Sequence, residues 1–165
     1  MRWRNHKIVA GLAIYSITGG FLSAGVAAVG AILPDVLELG GLLKHRSITH
    51  WPYPYLAVAA LVYLWQWRNP SIIPYLLYFF ILGVVTHLLL DGLSKSGIPV
   101  GSSPSADRRI ALDIYKTFTP SEEITAAGLM LIFLAAAYSR GFLGGEHIQL
   151  EVRMISGLVA ELAGR

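Results

Sequence analysis

Two stretches of this chain contain no charged residue over lengths that approach the thickness of a lipid bilayer. Ser71 to Leu90 contains no Asp, Glu, Lys or Arg, and neither does Ile124 to Ser139. A helix needs about 20 consecutive apolar residues to cross the hydrocarbon core. Of the 165 residues, 55% are hydrophobic and only 14% are charged, whereas about 25% are charged in a typical soluble domain. We therefore predict an all-α integral membrane protein that forms a single domain over residues 1–165.

The apolar stretch between Ile8 and Leu33 is rich in small residues and has Gly19-Gly20 in its middle. It can form one spanning helix, or two short helices folded back at the glycines, where a turn costs little. A single span would place the basic residues near Lys7 and those near Lys44 on opposite sides of the membrane, against the positive-inside rule. The hairpin is favoured, and the single span remains the alternative.

Proline and glycine divide the remaining chain into further helices. Gly40-Gly41 is expected to close the second helix, and Ser121 is a candidate hydroxyl cap for the fifth. The third to fifth helices are expected over about Tyr55 to Trp67, Ile72 to Leu93 and Ile124 to Ser139. The tail from Glu146 to Leu162 has apolar residues at helical spacing. The prediction is thus about five membrane-embedded helices and a C-terminal amphipathic interfacial helix.

Histidine and aspartate residues recur beside these apolar segments. On the out-and-back path they all reach the membrane face that carries the positive charge: His6, Asp35, His45, His50, His87 and Asp91. Ionisable groups at such positions are expensive to place and are functional candidates by default. The chain has no cysteine, and imidazole with carboxylate is a ligand mixture that suits zinc or a similar first-row metal. The sequence predicts a divalent-metal site at one membrane face.

The order of these motifs resembles a known family. The motifs are His6, Leu33-Pro34-Asp35, His45-Arg46-Ser47-Ile48-Thr49-His50, Thr86-His87-Leu88-Leu89-Leu90-Asp91 and Ser96-Gly97-Ile98-Pro99. They resemble those of the YdjM-type membrane-bound metal-dependent hydrolases, also described as LexA-binding and inner-membrane-associated, from His6 to about Glu123. The resemblance implies an inner-membrane hydrolase whose ligand pattern is distantly similar to that of zinc-dependent phospholipase C. The metal ligands it implies are His6, Asp35, His50, His87 and Asp91, with His45 as a ligand or an acid–base group.

Two positions depart from the family pattern. Val36-Leu37-Glu38 follows Asp35 where the family often has x-Asp-His, and Trp51 stands where a serine usually follows Thr-His. Glu38 lies three residues after Asp35 and so on the same helical face, which makes it a candidate to replace a missing ligand. Whether the site holds one zinc ion or two stays open.

The expected chemistry is phospholipase-like hydrolysis of a phosphoester or lipid-like substrate at the cytoplasmic face of a multi-pass inner-membrane protein. Zinc lowers the pKa of a bound water toward neutrality, and the hydroxide attacks the ester. Candidate catalytic residues are His45, Glu38, Arg46 and Glu123, and candidate phosphate-binding residues are Arg46, Arg108 and Arg109. Membrane lipids are the expected partners, and a homo-oligomer is compatible with the sequence. Nucleic acid is not expected, since no basic stripe alternates with aromatics.

Two other functions compete with hydrolysis. A divalent-metal transporter or sensor would hold its ion near the bilayer midplane between broken helices, whereas these residues cluster at helix ends. A membrane accessory protein with a structural metal would need a closed shell of four ligands.

Overall fold

The computed structural model describes residues 1–38, 46–103 and 108–163. Its α-helices are α1 (Trp3–Thr18), α2 (Phe21–Gly30), α3 (Leu33–Val36), α4 (Pro52–Arg68), α5 (Ile72–Leu93), α6 (Pro120–Ser139) and α7 (Gly145–Ala163). A 3₁₀ turn at Ile48–His50 precedes α4. Between α5 and α6, the short strands β1 (Ile98–Pro99) and β2 (Arg109–Ile110) pair antiparallel. The helical fold class agrees with the prediction, apart from this small strand pair.

The apolar N-terminal stretch forms the hairpin and not the single span. Gly19 adopts a left-handed conformation with φ of 69°, and its N–H donates to the carbonyl oxygen of Tyr15 at 2.8 Å. This is a common helix end, and glycine adopts it without the penalty that a Cβ would bring. The chain then reverses, and α2 packs along α1.

Two of the described helices, α5 and α6, are long and apolar enough to cross a membrane, and Phe21–Val36 is a shorter apolar segment. The expectation of five membrane-embedded helices is therefore not supported. The reason is length: the turn at Gly19 limits α1 to 16 residues and α2 to 10, and α4 has 17, whereas a full crossing takes about 20 residues.

The contact between α2 and α5 is unusually close because a glycine lies on each side of it. A Cβ added to Gly30 would lie 2.0 Å from the carbonyl oxygen of Phe80, and one added to Gly83 would lie 2.0 Å from that of Ala27. Small residues allow such backbone approach between helices in lipid. The end of α2 is thereby held against the middle of α5. Around this pair, α1 packs on α2 and α6, and α4 packs on α5.

Several helix boundaries differ from the sequence expectation. The third predicted helix begins at Pro52, and the fifth begins at Pro120 with Thr119 as its N-cap. The predicted cap at Ser121 is wrong because Pro120 takes the first helical position, where its missing N–H costs nothing. The helical tail is present as α7. Gly40-Gly41 lies outside the described residues.

The loop after α5 folds back on the C-terminal end of that helix. The N–H groups of Leu112 and Ile114 donate to the carbonyl oxygens of Gly92 and Leu93, each at 2.9 Å. The buried Tyr115 hydroxyl donates to the Leu90 carbonyl oxygen, also at 2.9 Å. Carbonyls in the last turn of a helix have no partner within the helix, so these bonds hold the final turns of α5 in place.

Candidate metal centre

Four segments bring imidazoles and carboxylates together at one end of the helices. His6 comes from the first turns of α1, Asp35 from α3, His50 from the 3₁₀ turn, and His87 and Asp91 from α5. The three imidazoles are 0% exposed and Asp91 is 1% exposed, while Asp35 is half-buried. The structure thus gathers the five residues that the sequence singles out as metal ligands. His45, the sixth candidate, lies outside the described residues.

The cluster is centred on the Nε2 atoms of His50 and His87, which are 3.1 Å apart. Asp35 Oδ1 lies 3.4 Å from the His50 nitrogen and 3.7 Å from the His87 nitrogen. Asp91 Oδ2 lies at the same two distances, 3.4 Å and 3.7 Å. Two nitrogens bound to one tetrahedral zinc ion are about 3.3 Å apart. The donor spacing therefore matches the first coordination shell of a small divalent ion.

Hydrogen bonds on the far side of each ring set the tautomers. His87 Nδ1 lies 2.7 Å from the carbonyl oxygen of Ala31, which can only accept, so this nitrogen carries the proton. His50 Nδ1 lies 3.0 Å from Thr49 Oγ1, whose own proton is donated to Glu38 Oε1, and 3.2 Å from Glu38 Oε1 itself, so both neighbours can accept from this nitrogen. Both Nε2 atoms then direct lone pairs toward the same point. Two facing lone pairs at 3.1 Å repel each other, and either a proton on one of the two nitrogens or a cation bound by both removes this repulsion.

Glu38 lies behind His50 and not among the facing donor atoms. Its Oε1 also accepts from the Arg46 backbone N–H at 3.0 Å and from Thr49 Oγ1 at 3.2 Å. The sequence suggests Glu38 as a replacement ligand or catalytic group. The structure instead places it as the outer carboxylate of a carboxylate–histidine pair, which orients a ligand ring and raises its basicity.

The carboxylate of Asp91 faces two ways. While its Oδ2 lies against His50 and His87, its Oδ1 lies 3.0 Å from Arg46 Nη2, 3.1 Å from the amine of Met1 and 3.4 Å from His6 Nε2. One oxygen thus belongs to the donor cluster, and the other lies among positively charged groups.

The imidazole ring of His6 is buried against another histidine. Its ring stacks on that of His87 with centroids 3.8 Å apart. Among the described residues, neither ring nitrogen of His6 has a hydrogen-bond partner, because the approach of Nε2 to Asp91 lacks suitable geometry. Buried polar atoms without partners are rare and point to a functional site.

The electrostatic environment of the His50 ring stabilises a positive charge. Burial by itself lowers the pKa of the His50 imidazole, but the adjacent Asp35 and Asp91 carboxylates outweigh it, and the pKa is raised above its usual value. The same carboxylates would stabilise a metal cation at this position.

Arg46 is an interior residue, although the sequence suggests it as a catalytic and phosphate-binding group. It is 4% exposed, and its Nη1 donates to Ser94 Oγ at 2.7 Å. Its backbone adopts a left-handed conformation with φ of 57°, which costs a non-glycine residue roughly 1 kcal/mol. The bonds made by its N–H and its guanidinium hold it there.

The other predicted polar residues lie farther out. Arg109 donates to the carbonyl oxygens of Ser96 at 3.1 Å and Arg46 at 3.2 Å. Arg108 is exposed and lines an open cleft. Glu123 accepts from the guanidinium groups of Arg2 and Arg4, each at 2.8 Å, so it joins the start of α6 to the start of α1.

Sequence reasoning missed Glu122, which is fully buried. It accepts from the Arg2 N–H at 2.6 Å, Asn5 Nδ2 at 3.0 Å and the Phe118 N–H at 2.7 Å. These bonds fix the first turn of α1, which carries His6. The sequence gives no signal that separates Glu122 from its neighbour, because an alanine stands four residues after Glu122 and after Glu123 alike.

Fold and site together define a class: a helical protein with two helices long enough to span a bilayer and a buried imidazole–carboxylate cluster at one end. A family model described as YdjM inner membrane protein matches residues 1–148. The chain belongs to this family, which confirms the resemblance of its motifs. No curated protein and no solved structure matches it.

Proposed function

We propose that this protein is a membrane-bound metal-dependent hydrolase that acts on a phosphoester of a lipid-like substrate at the cytoplasmic membrane face. The observation that carries the proposal is the 3.1 Å approach of the His50 and His87 Nε2 atoms between two carboxylates. With both Nδ1 atoms protonated the two Nε2 lone pairs face each other, and a divalent cation can bind both nitrogens together with the adjacent carboxylate oxygens.

The chain's own residues fit such an ion. His50, His87, Asp35 and Asp91 are the donors, and Glu38 and the Ala31 carbonyl hold the two rings in the ligating orientation. The donor set of imidazole and carboxylate suits zinc, and a bound zinc ion supplies Lewis acidity and a nucleophilic water at neutral pH. Hydrolysis joins the water oxygen to phosphorus and breaks the bond between phosphorus and the leaving alcohol, which takes up a proton.

An open cleft lined by Trp51, the residue that follows His50, is the proposed binding site for the substrate's phosphate headgroup. It has a volume of about 670 Å³ and is lined by Trp51, Tyr53, Val100, Gly101, Ser102 and Arg108. Trp51 Nε1 donates to the Gly101 carbonyl oxygen at 3.1 Å, and the Tyr53 hydroxyl to that of Val100 at 2.9 Å. Aromatic residues favour the membrane interface, and a guanidinium matches phosphate oxygens. Of the three predicted phosphate-binding arginines, Arg108 is the one whose side chain lines this cleft.

The proposed orientation places the metal centre on the cytoplasmic side of a multi-pass protein. The basic residues Arg2, Arg4 and Lys7 lie beside His6 in the first turns of α1, and positive charge favours the cytoplasmic face. In this orientation α5 and α6 cross the bilayer, and α7 lies along the opposite interface.

A structural metal is a second candidate, favoured by the number of donors. Two nitrogens 3.1 Å apart, each 3.4 or 3.7 Å from an oxygen of Asp35 and of Asp91, offer four protein donors, and a closed shell of four is typical of structural zinc. Transport has less support, because the donors lie at the ends of helices and not near the midplane.

The test is metal content combined with hydrolysis. We would purify the full chain in detergent, measure zinc, manganese and iron by mass spectrometry, and follow release of p-nitrophenol from p-nitrophenylphosphorylcholine. The variants are His50→Ala and Asp91→Ala. The matched control is His147→Ala, because His147 donates to a backbone carbonyl at a distance from the cluster.

We expect a bound metal and hydrolysis in the wild-type protein and in His147→Ala, and loss of both in the two cluster variants. A wild-type protein that binds no divalent metal would exclude the hydrolase. A bound metal without hydrolysis of this probe or of labelled phospholipids would favour the structural metal instead.

A further inference from the structure

We infer that this centre holds a single metal ion and that the guanidinium of Arg46 occupies the position of a second one. The inference rests on the proposed function and adds the nuclearity of the site and a positioning role for Arg46. Neither follows from the motifs, which are compatible with one ion or two.

Asp91 has the geometry of a bridging carboxylate. In two-metal sites the ions lie about 3.5–4 Å apart and are often linked by such a group. Here Asp91 Oδ2 lies 3.4 Å from His50 Nε2, on the side of the donor cluster. Asp91 Oδ1 lies 3.0 Å from Arg46 Nη2. The carboxylate therefore links the donor cluster to a guanidinium, at the place where a dinuclear centre would have its second ion.

Arg46 is held in this position from several directions. Its Nη1 donates to Ser94 Oγ at 2.7 Å, its backbone N–H to Glu38 Oε1 at 3.0 Å, and its carbonyl oxygen accepts from Arg109 Nη2 at 3.2 Å. The side chain is 4% exposed, and a guanidinium stays charged at every accessible pH. The positive charge beside Asp91 Oδ1 is thus a fixed part of the fold.

A second ion on this side would meet positive charge. His6, His87 and Asp91 are spaced as a second group of three possible ligands, and His87 is shared with the first group. Glu38, the predicted replacement ligand, lies behind His50. The amine of Met1 lies 3.1 Å from Asp91 Oδ1. A second divalent ion at Asp91 Oδ1 would have to enter beside the guanidinium of Arg46 and the Met1 amine, and this repulsion disfavours its binding.

The test is the number and magnetic coupling of manganese ions in the full chain. We would load the detergent-purified protein with Mn²⁺, count the bound ions by mass spectrometry and record the electron paramagnetic resonance spectrum. We expect one ion per chain and the signal of an isolated Mn²⁺. Two ions with an exchange-coupled signal would overturn the inference and leave the proposed hydrolase standing. A chain that binds no Mn²⁺, Zn²⁺ or Fe²⁺ would overturn both.

Removing the guanidinium sharpens the test. In Arg46→Met the Asp91 Oδ1 atom loses this partner, so we expect a second Mn²⁺ to bind and exchange coupling to appear. The matched control is Arg140→Met, which removes an exposed guanidinium that contacts the Ile17 carbonyl oxygen at the other end of α1, and it should keep one ion. An Arg46→Met protein with one ion, an unchanged spectrum and unchanged Mn²⁺ affinity would contradict the inference. If this variant does not fold, the wild-type ion count decides alone.

Discussion

The two ends of the helical hairpin carry the same sequence pattern and use it differently. At one end, His87 and Asp91 are four residues apart on α5, and at the other, His147 and Glu151 are four apart on α7. The ends are separated by roughly 20 Å, the rise of α1 between His6 and Gly19. His147 Nε2 donates to the Gly19 carbonyl oxygen at 2.8 Å, and Glu151 Oε2 accepts from the Phe21 N–H at 3.0 Å.

The difference lies in what the polar atoms face. At the α7 end each side chain caps a backbone group, because α1 ends and α2 begins there with unpaired carbonyl and N–H groups. At the α5 end the ring nitrogens of His50 and His87 face each other and two carboxylates, and the ring nitrogens of His6 have no hydrogen-bond partner within the part of the chain that the structure describes. Helical spacing brings a histidine and an acid onto one face at both ends. Whether such a pair caps a helix or belongs to a candidate metal centre depends on the residues that face it from other segments.

The largest expected effect is the loss of metal binding in His87→Ala. This change removes one of the two central nitrogens, so the affinity for Zn²⁺ should fall by more than the roughly 100-fold that loss of an outer-shell partner costs. Zinc titration of the detergent-purified protein measures it.

His147→Ala is the matched comparison at the other end and should keep wild-type zinc affinity. If His87→Ala and His147→Ala bind zinc with equal affinity, the histidines at the α5 end and at the α7 end do not differ in their role.

The next largest effect is expected for Gly30→Ala, which tests whether the metal centre depends on the close approach of α2 and α5. The added methyl would lie 2.0 Å from the Phe80 carbonyl oxygen, so the helices must separate. We expect a loss of about 1–3 kcal/mol in stability and weaker zinc binding, because Asp35 moves away from His87. Thermal unfolding and zinc titration measure the two effects.

Gly25→Ala is the control, since a Cβ there meets no atom within 4 Å. If Gly30→Ala lowers stability and leaves zinc affinity unchanged, the helix contact does not position the donors.

A smaller effect is expected for Glu38→Ala, which removes the acceptor behind His50. Zinc affinity should fall by about 10–100-fold, as for other outer-shell partners of metal-bound histidine, while the bound ion remains single. Glu146→Ala is the control, because Glu146 is exposed on α7. Complete loss of binding in Glu38→Ala would indicate instead that Glu38 is a direct ligand.

The smallest effect is expected for Glu151→Ala at the α7 end. Loss of the bond to the Phe21 N–H removes a helix cap and should lower the stability by about 1 kcal/mol. Zinc affinity should not change. Thermal unfolding compared with Glu146→Ala isolates the capping term, and a change in zinc affinity would show that the two ends are coupled.

Local sequence patterns were enough to predict most helix positions and to predict that the histidines and aspartates lie together at one end of the helices. Gly19 marked the turn of the hairpin, and the stretch from Ile72 to Leu93 was predicted with the bounds that α5 has. The out-and-back path placed His6, Asp35, His50, His87 and Asp91 at one end, where the structure brings them together. These features follow from apolar periodicity and turn residues, which act over short distances along the chain. Counting five membrane-embedded helices failed because apolar composition does not report where a helix ends.

The sequence by itself determined that histidines and aspartates reach one end of a set of apolar helices, because helix length and turn position set where each residue falls along the bundle axis. Only the tertiary structure decided that Glu38 lies behind His50, that Arg46 is buried against Asp91, and that Glu122 anchors the first turn of α1. Each of these side chains is oriented by a partner from another segment. The spacing of residues along one helix determines on which face of that helix a side chain lies. Which atom the side chain then contacts depends on how the helices pack.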